Sequence, residues 1–187
     1  MHATLPNGPA TRITRLIERV GRLTRARESG CGELNPAQWE ALRFLARANR
    51  WSRQPSQVAR WIACTKGTTS QTLASLERKG LIARQANPDD RRGVILDLTE
   101  RGLELVGRDP LWDLSQSIGR LPPLHAAALS QSLVQILSDL AGEQTQPGFD
   151  SCRACRHFRA SETAPSCAKF GPLAPDDLNA ICAHSEA

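Results

Sequence analysis

Four cysteines in the last fifth of the chain stand at the spacing of a metal site, Cys152-x2-Cys155-x11-Cys167-x14-Cys182. Two thiolates at C-x-x-C spacing can hold a metal from a single turn, and two distant ones can close the coordination shell. The segment that carries them, from Ser151 onward, has no helical periodicity and almost no apolar core of its own, so it needs a staple to fold. His157 and His184 lie beside these cysteines as further possible ligands, although four cysteines already suffice. A second group is suited to nucleic acid. The hydroxyls of Thr65 and Thr68 and the ammonium of Lys66 can cap a helix or bind phosphate. Thr69, Ser70, Gln71 and Thr72 follow along the same stretch. Gln71 is the best adenine reader, because its amide both gives and takes a hydrogen bond with N7 and N6. Asp90, Arg91 and Arg92 form a third polar group further on.

The elements that position these residues follow from periodicity. Val58, Ala59 and Ile62 share one face of a short helix, stopped by a tight connection at Cys64-Thr65-Lys66-Gly67. A second helix is expected over Thr68–Lys79, with Leu73 and Leu76 inward and Gly80 as its stop. Leu81–Gln85 and Val94–Leu98 read as two strands around a polar loop, Ala86–Gly93. Helix, turn, helix and β-hairpin is the order of a winged helix-turn-helix, whose second helix can enter a major groove.

These residues resemble the DNA-binding core of the MarR family of bacterial transcription regulators. The resemblance lies in Leu73-x-x-Leu76-Glu77-Arg78-Lys79-Gly80-Leu81-Ile82, then Asn87-Pro88-Asp89-Asp90-Arg91-Arg92, then Leu98-Thr99-Glu100-Arg101-Gly102. It extends more loosely from about residue 10 to residue 142. Gln54 departs from it, standing where Ser or Thr more often caps the first helix. The resemblance implies a homodimer formed through terminal helices and a pseudo-palindromic double-stranded DNA operator. It also implies that Arg92 at the wing tip reaches the minor groove, oriented by Asp90. The cysteine segment resembles the ligand set of high-potential iron–sulfur proteins. The matching residues are Cys152-x-x-Cys155-x-x-Phe158, Cys167-Ala168-x-Phe170-Gly171 and Cys182-Ala183. An aromatic is missing before Cys182, where Ala180-Ile181 stands. This second resemblance implies a 4Fe–4S cluster. Zinc remains the alternative, although structural zinc sites commonly pair two C-x-x-C knuckles, and here Cys167 and Cys182 stand alone.

The chain's 187 residues allow one full domain and a small appendage. The net charge of +5 is collected on the helix-turn-helix: residues 53–92 hold eight Lys/Arg against three Asp/Glu. That is where phosphate contact requires it. No apolar run reaches about 18 residues, so no membrane span is expected, and Met1–Arg12 lacks the apolar core of a signal peptide. The expected compartment is the cytoplasm, where six cysteines speak for metal or redox chemistry rather than disulfides. Cys64 reads as a buried thiol, and Cys31, between glycines, as an exposed one.

The expected fold is mainly α with a small β-wing, a winged helix-turn-helix with a helical dimerisation region and a metal-stapled lobe. Its divisions are an N-terminal arm over 1–10, the winged-helix and dimerisation domain over 11–142, a linker over 143–149 and the four-cysteine lobe over 150–187. An amphipathic helix is expected from Thr11 to about Ala26, broken by Glu28-Ser29-Gly30-Cys31-Gly32. Asn35 caps a second helix with Pro36 in its first turn, carrying Trp39, Leu42 and Leu45 inward, with Trp51 and Trp61 packed nearby and no ligand role for either. Thr99 caps a further helix kinked or broken at Asp109-Pro110, and Leu121-Pro122-Pro123 turns the chain into a last helix. The ordered lobe is expected to pack on the dimerising helices. Three functions fit these features. The first is a dimeric transcription regulator whose iron–sulfur cluster senses redox state, oxygen, nitric oxide or iron. The second is an electron-transfer protein that uses the winged helix to bind proteins. The third is a small-molecule-responsive repressor with a zinc staple. No enzyme is expected, since no nucleophile set, phosphate-cradling loop or carboxylate pair is found.

Overall fold

The computed structural model describes residues 8–30, 32, 34–87, 90–141, 149–161 and 164–186, with the side chains of residues 90–92 and 141 left aside. Cys31 and most of the expected linker therefore lie outside the described residues. Helix α1 spans Pro9–Gly30, starting inside the expected arm and running through Glu28-Ser29-Gly30, where a break was expected. The reason is tertiary. Glu28 is buried, and its Oε1 accepts a hydrogen bond from Arg43 Nη1 at 2.6 Å. This anchor outweighs the weak helix propensity of Ser29 and Gly30. Helix α2, Pro36–Arg47, begins as its residues imply: Asn35 Oδ1 accepts the Gln38 N–H at 2.9 Å, and Gln38 Oε1 accepts the Asn35 N–H at 3.1 Å.

Helices α3 (Pro55–Trp61) and α4 (Lys66–Arg78) form the helix-turn-helix. Gln54 supplies no side-chain cap to α3, in keeping with its departure from the family pattern. The left-handed residue of the connection is Ala63, at φ 50°, and not a glycine. Helix α4 starts two residues before Thr68, because Thr65 is its cap: Thr65 Oγ1 accepts the Thr68 N–H at 3.2 Å. Its end is the expected one. Gly80 sits at φ +68°, and the Leu81 N–H reaches back to Leu76 O at 3.0 Å.

Strands β1 (Ile82–Asn87) and β2 (Asp90–Leu98) pair antiparallel from Ile82↔Leu98 to Ala86↔Val94, then shift register to Asn87↔Asp90. The pairing thus reaches into the predicted loop Ala86–Gly93, taking in Ala86, Asn87 and Asp90. The outer part of the ribbon carries no core face, so polar residues need not end it, and the register irregularity absorbs the extra residues.

Thr99 then caps helix α5 (Glu100–Val106), accepting the Gly102 N–H at 3.1 Å and donating to Gly80 O at 2.6 Å. Gly102 is there for lack of space: a Cβ would lie 2.2 Å from the Leu81 carbonyl oxygen. Asp109-Pro110 breaks the chain outright, and helix α6 (Trp112–Gly119) is separate from α5. Helix α7 spans Pro123–Ala141. The core gathers α2, α3, α4 and the wing around Trp39, Leu42, Phe44, Leu45, Val58, Leu73, Leu76 and Leu96. By contrast, α1 leaves Ile13, Leu16, Ile17, Val20 and Leu23 exposed, and α7 leaves Leu129, Leu133, Val134, Ile136, Leu137 and Leu140 exposed.

The C-terminal lobe consists of two-residue strands and two 3-10 turns. Strand β3 (Asp150–Ser151) pairs with β7 (Ile181–Cys182), and β4 (Phe158–Arg159), β5 (Ser166–Cys167) and β6 (Gly171–Pro172) form a small antiparallel sheet. Its buried core is Cys152, Cys182 and Leu173, completed by Trp51 from the first half of the chain. The lobe's described hydrogen bonds to the rest of the chain run to the end of α2, the turn after it and α3, not to the helices expected to dimerise. Asn49 N–H donates to Ile181 O at 2.9 Å, Ala183 N–H to Ser52 Oγ at 2.8 Å, and Arg60 Nη1 to Ala183 O at 3.2 Å. Phe149 wedges edge-on against Phe44 and Trp61. The lobe has too little apolar surface to stand alone, and the aromatic flank of the helix-turn-helix supplies what it lacks.

Candidate nucleic-acid interface and four-cysteine pocket

Helix α4 turns one stripe inward and the opposite one to solvent. Leu73, Leu76, Thr69 and Thr72 are buried, and the two threonine hydroxyls donate to Thr65 O and Thr68 O, each at 3.0 Å. Thr69 and Thr72, expected at base edges, are therefore core residues. A hydroxyl that bonds the carbonyl four residues back can be buried without loss, which lets a polar residue sit on the inner face. Lys66, Thr68, Ser70 and Gln71 are exposed, and so is Thr65, whose hydroxyl lies 3.0 Å from that of Thr68. Sequence reasoning passed over Gly67 and Arg78, which share the exposed face. Helical spacing could have found them: Gly67, Ser70, Gln71, Ala74 and Arg78 fall opposite Leu73 and Leu76. Asp90, Arg91 and Arg92 lie on the outer part of β2, and the Asp90–Arg92 pairing falls outside the described side chains.

The structure brings the four cysteines together. Cys152, Cys155, Cys167 and Cys182 line one pocket with His157, His184, Lys169, Phe158, Phe170 and Leu173 of the lobe, and with Asn49 and Trp51 of the α2–α3 turn. Trp51, expected only in the core, stacks on Phe170 with ring centroids 5.0 Å apart, and Phe170 meets His184 edge-on at 5.2 Å. Asn49 and Trp51 were missed because nothing in their local pattern links them to cysteines a hundred residues away. Among the described residues, no group of three or more His, Cys, Asp or Glu side chains is placed to hold a metal ion.

The electrostatics suit a sulfur-rich centre. Burial pushes the Cys152 thiol up to about 11, with Cys182, Cys167 and Asp177 adding to the rise and Asn49 opposing it. The free Cys152 thiol therefore resists ionisation, and its thiolate is favoured when a cation accepts the charge. Burial also lowers the His184 pKa, against a hydrogen bond with the Trp51 backbone, so its imidazole is neutral at pH 7. The Glu186 N–H donates to Cys155 Sγ at 3.4 Å. Asn49 Nδ2 is buried in the pocket wall, yet it has no hydrogen-bond partner of normal geometry. A pocket of four cysteines with a spare buried N–H fits a group that carries acceptor sulfur of its own.

Residues 33–93 match the model of the MarR family. The chain is similar to the HTH-type transcriptional regulator MhqR of Bacillus subtilis (strain 168), with 26% identity over 106 residues. That match spans 57% of this chain and 63% of the relative, less than two thirds of its length. Among solved structures, the chain resembles S. aureus MepR in its DNA-binding conformation, with TM-score 0.61 and 23% identity over 71% of this chain and 99% of that one. It also resembles Streptococcus pneumoniae FabT in complex with DNA, with TM-score 0.58 and 24% identity over 70% of this chain and 99% of that one. Residues 33–93 are thus similar to the MarR family, and the chain shares the fold of these solved structures.

Proposed function

We propose that this protein is a homodimeric, DNA-binding transcription regulator of MarR type, not an enzyme, whose four-cysteine lobe holds a 4Fe–4S cluster that tunes operator binding. The DNA-binding half of this reading is supported by the MarR-family match and by the exposed polar face of α4. MepR and FabT, which share the fold, are described in DNA-binding form or bound to DNA. In this reading Thr65, Lys66 and Thr68 hold phosphates, while Ser70, Gln71 and Arg78 approach base edges in the major groove. The wing carries Arg92 toward the minor groove. The apolar stripes of α1 and α7, exposed in the single chain, meet their counterparts across a two-fold axis. No helix among the described residues is long and apolar enough to cross a membrane.

The sensing half rests on one observation: Cys152, Cys155, Cys167 and Cys182, from separate stretches of the sequence, line one pocket. These cysteines are the cluster's ligands in this reading. The cluster supplies a centre that gains or loses an electron, or is destroyed by oxidants. The chain's own residues exclude water from it with Trp51, Phe158, Phe170 and Leu173.

The test is anaerobic purification with iron and acid-labile sulfide analysis, a visible spectrum, and operator titrations at several salt concentrations. Brown protein with about four irons per chain, whose DNA affinity falls steeply with salt, is the expected result. Colourless protein holding stoichiometric zinc would overturn the sensing half, and salt-independent binding would overturn the DNA-binding half.

A further inference from the structure

We infer that Asn49 is the positioning residue through which the four-cysteine pocket acts on the DNA-binding motif. Its side-chain N–H donates to sulfur in the pocket, and its carbonyl oxygen holds the turn that starts α3. The inference rests on the cluster reading above and names the part of the molecule that reads the cluster's state.

Asn49 is 2% exposed and stands just after α2. Its two ends have different partners. Oδ1 accepts the Ser52 N–H at 3.0 Å and the Ser52 hydroxyl at 2.7 Å, so the amide's orientation is fixed by two donors. Nδ2 then faces the pocket wall, buried and with no hydrogen bond of normal geometry, and the Cys152 sulfur is the group it acts on. A buried amide keeps a poorly met donor only at a cost, and the sulfur of Cys152 is the acceptor set beside it. N–H donors on cluster sulfur favour the more negative, reduced state.

From Asn49 the connections run both ways. Toward the lobe, Asn49 N–H bonds Ile181 O and Ser52 Oγ accepts the Ala183 N–H, so the backbone on both sides of Cys182 is tied to this turn. Toward the DNA, the residue after Ser52 is Arg53. Its carbonyl accepts the Leu96 N–H at 2.7 Å, and its guanidinium pairs with Asp97 at 3.0 Å. Leu96 and Asp97 belong to β2, the wing strand. One buried turn therefore touches the cysteine pocket, the start of α3 and the wing. Gain, loss or a change in charge of the sulfur centre alters what Asn49 Nδ2 can bond, and Ser52 and Arg53 carry that change to the DNA-binding elements. Such a chain conveys information only through differential contacts in two states, and a coupling of usual size is roughly a 5- to 150-fold change in affinity.

The experiment uses the full chain, reconstituted anaerobically with iron and sulfide, and compares wild type with Asn49→Ala, Asn49→Asp and Ser52→Ala. Three quantities are read: iron and sulfide content, midpoint potential by redox titration, and the ratio of operator Kd between loaded and stripped protein. Both Asn49 variants are expected to shift the potential to more negative values. Ser52→Ala keeps the donor and leaves the potential in place. The affinity ratio is expected to collapse toward one in Asn49→Ala and Ser52→Ala. Where Asn49→Ala fails to fold or to hold iron, Asn49→Asp decides, because it keeps Oδ1 on Ser52. Variants with full iron content and wild-type potential and ratio would overturn the role of Asn49 and leave the cluster reading standing. Wild type that takes up no iron and sulfide would remove the cluster reading, and this inference with it.

Discussion

Arg43 is the side chain whose loss should cost this protein most. It lies on the inner side of α2 with a side chain 7% exposed, and it holds two carboxylates from different parts of the chain. Nε and Nη2 bond the two oxygens of Asp109 at 2.7 and 2.5 Å, and Nη1 bonds Glu28 Oε1 at 2.6 Å. Glu28 belongs to the last turn of α1, and Asp109 to the link between α5 and α6, where its Oδ1 also takes the Leu111 N–H. The triad thus clamps α1 and the α5–α6 link to the core built on α2. Arg43→Met fills similar space but strands two carboxylates, with side chains 5% and 12% exposed. Removing one partner of a buried pair costs about 3–5 kcal/mol, mostly from the charge left uncompensated. At about 2–4 °C per kcal/mol for a chain of this size, the melting temperature should fall by roughly 6–20 °C. Thermal and urea unfolding of the dimer at fixed protein concentration provide the assay. Adding Glu28→Leu and Asp109→Asn should return most of the loss, since no charge is then left unpaired. A cost for Arg43→Met below about 1 kcal/mol, the range of exposed pairs, would refute the reasoning. The pH dependence has a definite sign. Burial opposes ionisation of Asp109, but hydrogen bonds from Arg43 and Leu111 and the charges of Arg43 and Arg47 hold its carboxyl below the usual value. Its contribution is therefore complete above about pH 4 and is lost as pH falls through the lowered folded-state value. Arg43→Met should lack this acid-side loss of stability.

Other substitutions separate inner from outer positions. Gln71→Ala should change operator preference at one base step by about 1–3 kcal/mol, read by competition against a set of single-base variants. Thr69→Val, on the buried stripe, should leave that preference unchanged; a shifted preference would mean α4 is rotated relative to this structure. Gly102→Ala should destabilise the fold by more than about 1 kcal/mol in urea melts, because its methyl meets the Leu81 carbonyl and no flexible side chain can move aside. Leu137→Glu on the exposed stripe of α7 should convert the dimer to monomer in sedimentation and sharply reduce operator binding, while circular dichroism stays near wild type.

Much of the winged helix was legible because its signals are local. Asn35 and Thr99 name helix starts, Gly80 names a stop that needs positive φ, and Asp109-Pro110 names a break, each through chemistry within a few residues. The apolar spacing of Leu73 and Leu76 likewise showed which side of α4 is buried. Where the residues misled, the deciding contact came from far along the chain. Glu28 extends α1 only because Arg43 meets it. Thr69 and Thr72 are the exception: they look like DNA ligands by type, yet they stand four residues before Leu73 and Leu76, which already puts them on the buried stripe. The wing outgrew its expected loop because cross-strand pairing, not residue type, sets the length of a ribbon.

The same division holds for the cysteines. Their number and spacing are properties of the chain, and they indicate a four-thiolate centre without any fold. Tertiary structure alone decided where the four cysteines sit and what surrounds them. The lobe has too few apolar residues to make its own core, so it borrows Trp51 and bonds to Asn49 and Ser52. That need for burial draws the pocket onto the start of the helix-turn-helix and away from α1 and α7. Periodicity reports which face of an element is buried. It does not report which distant surface will cover that face, because the choice depends on shape and hydrogen bonding between segments more than a hundred residues apart.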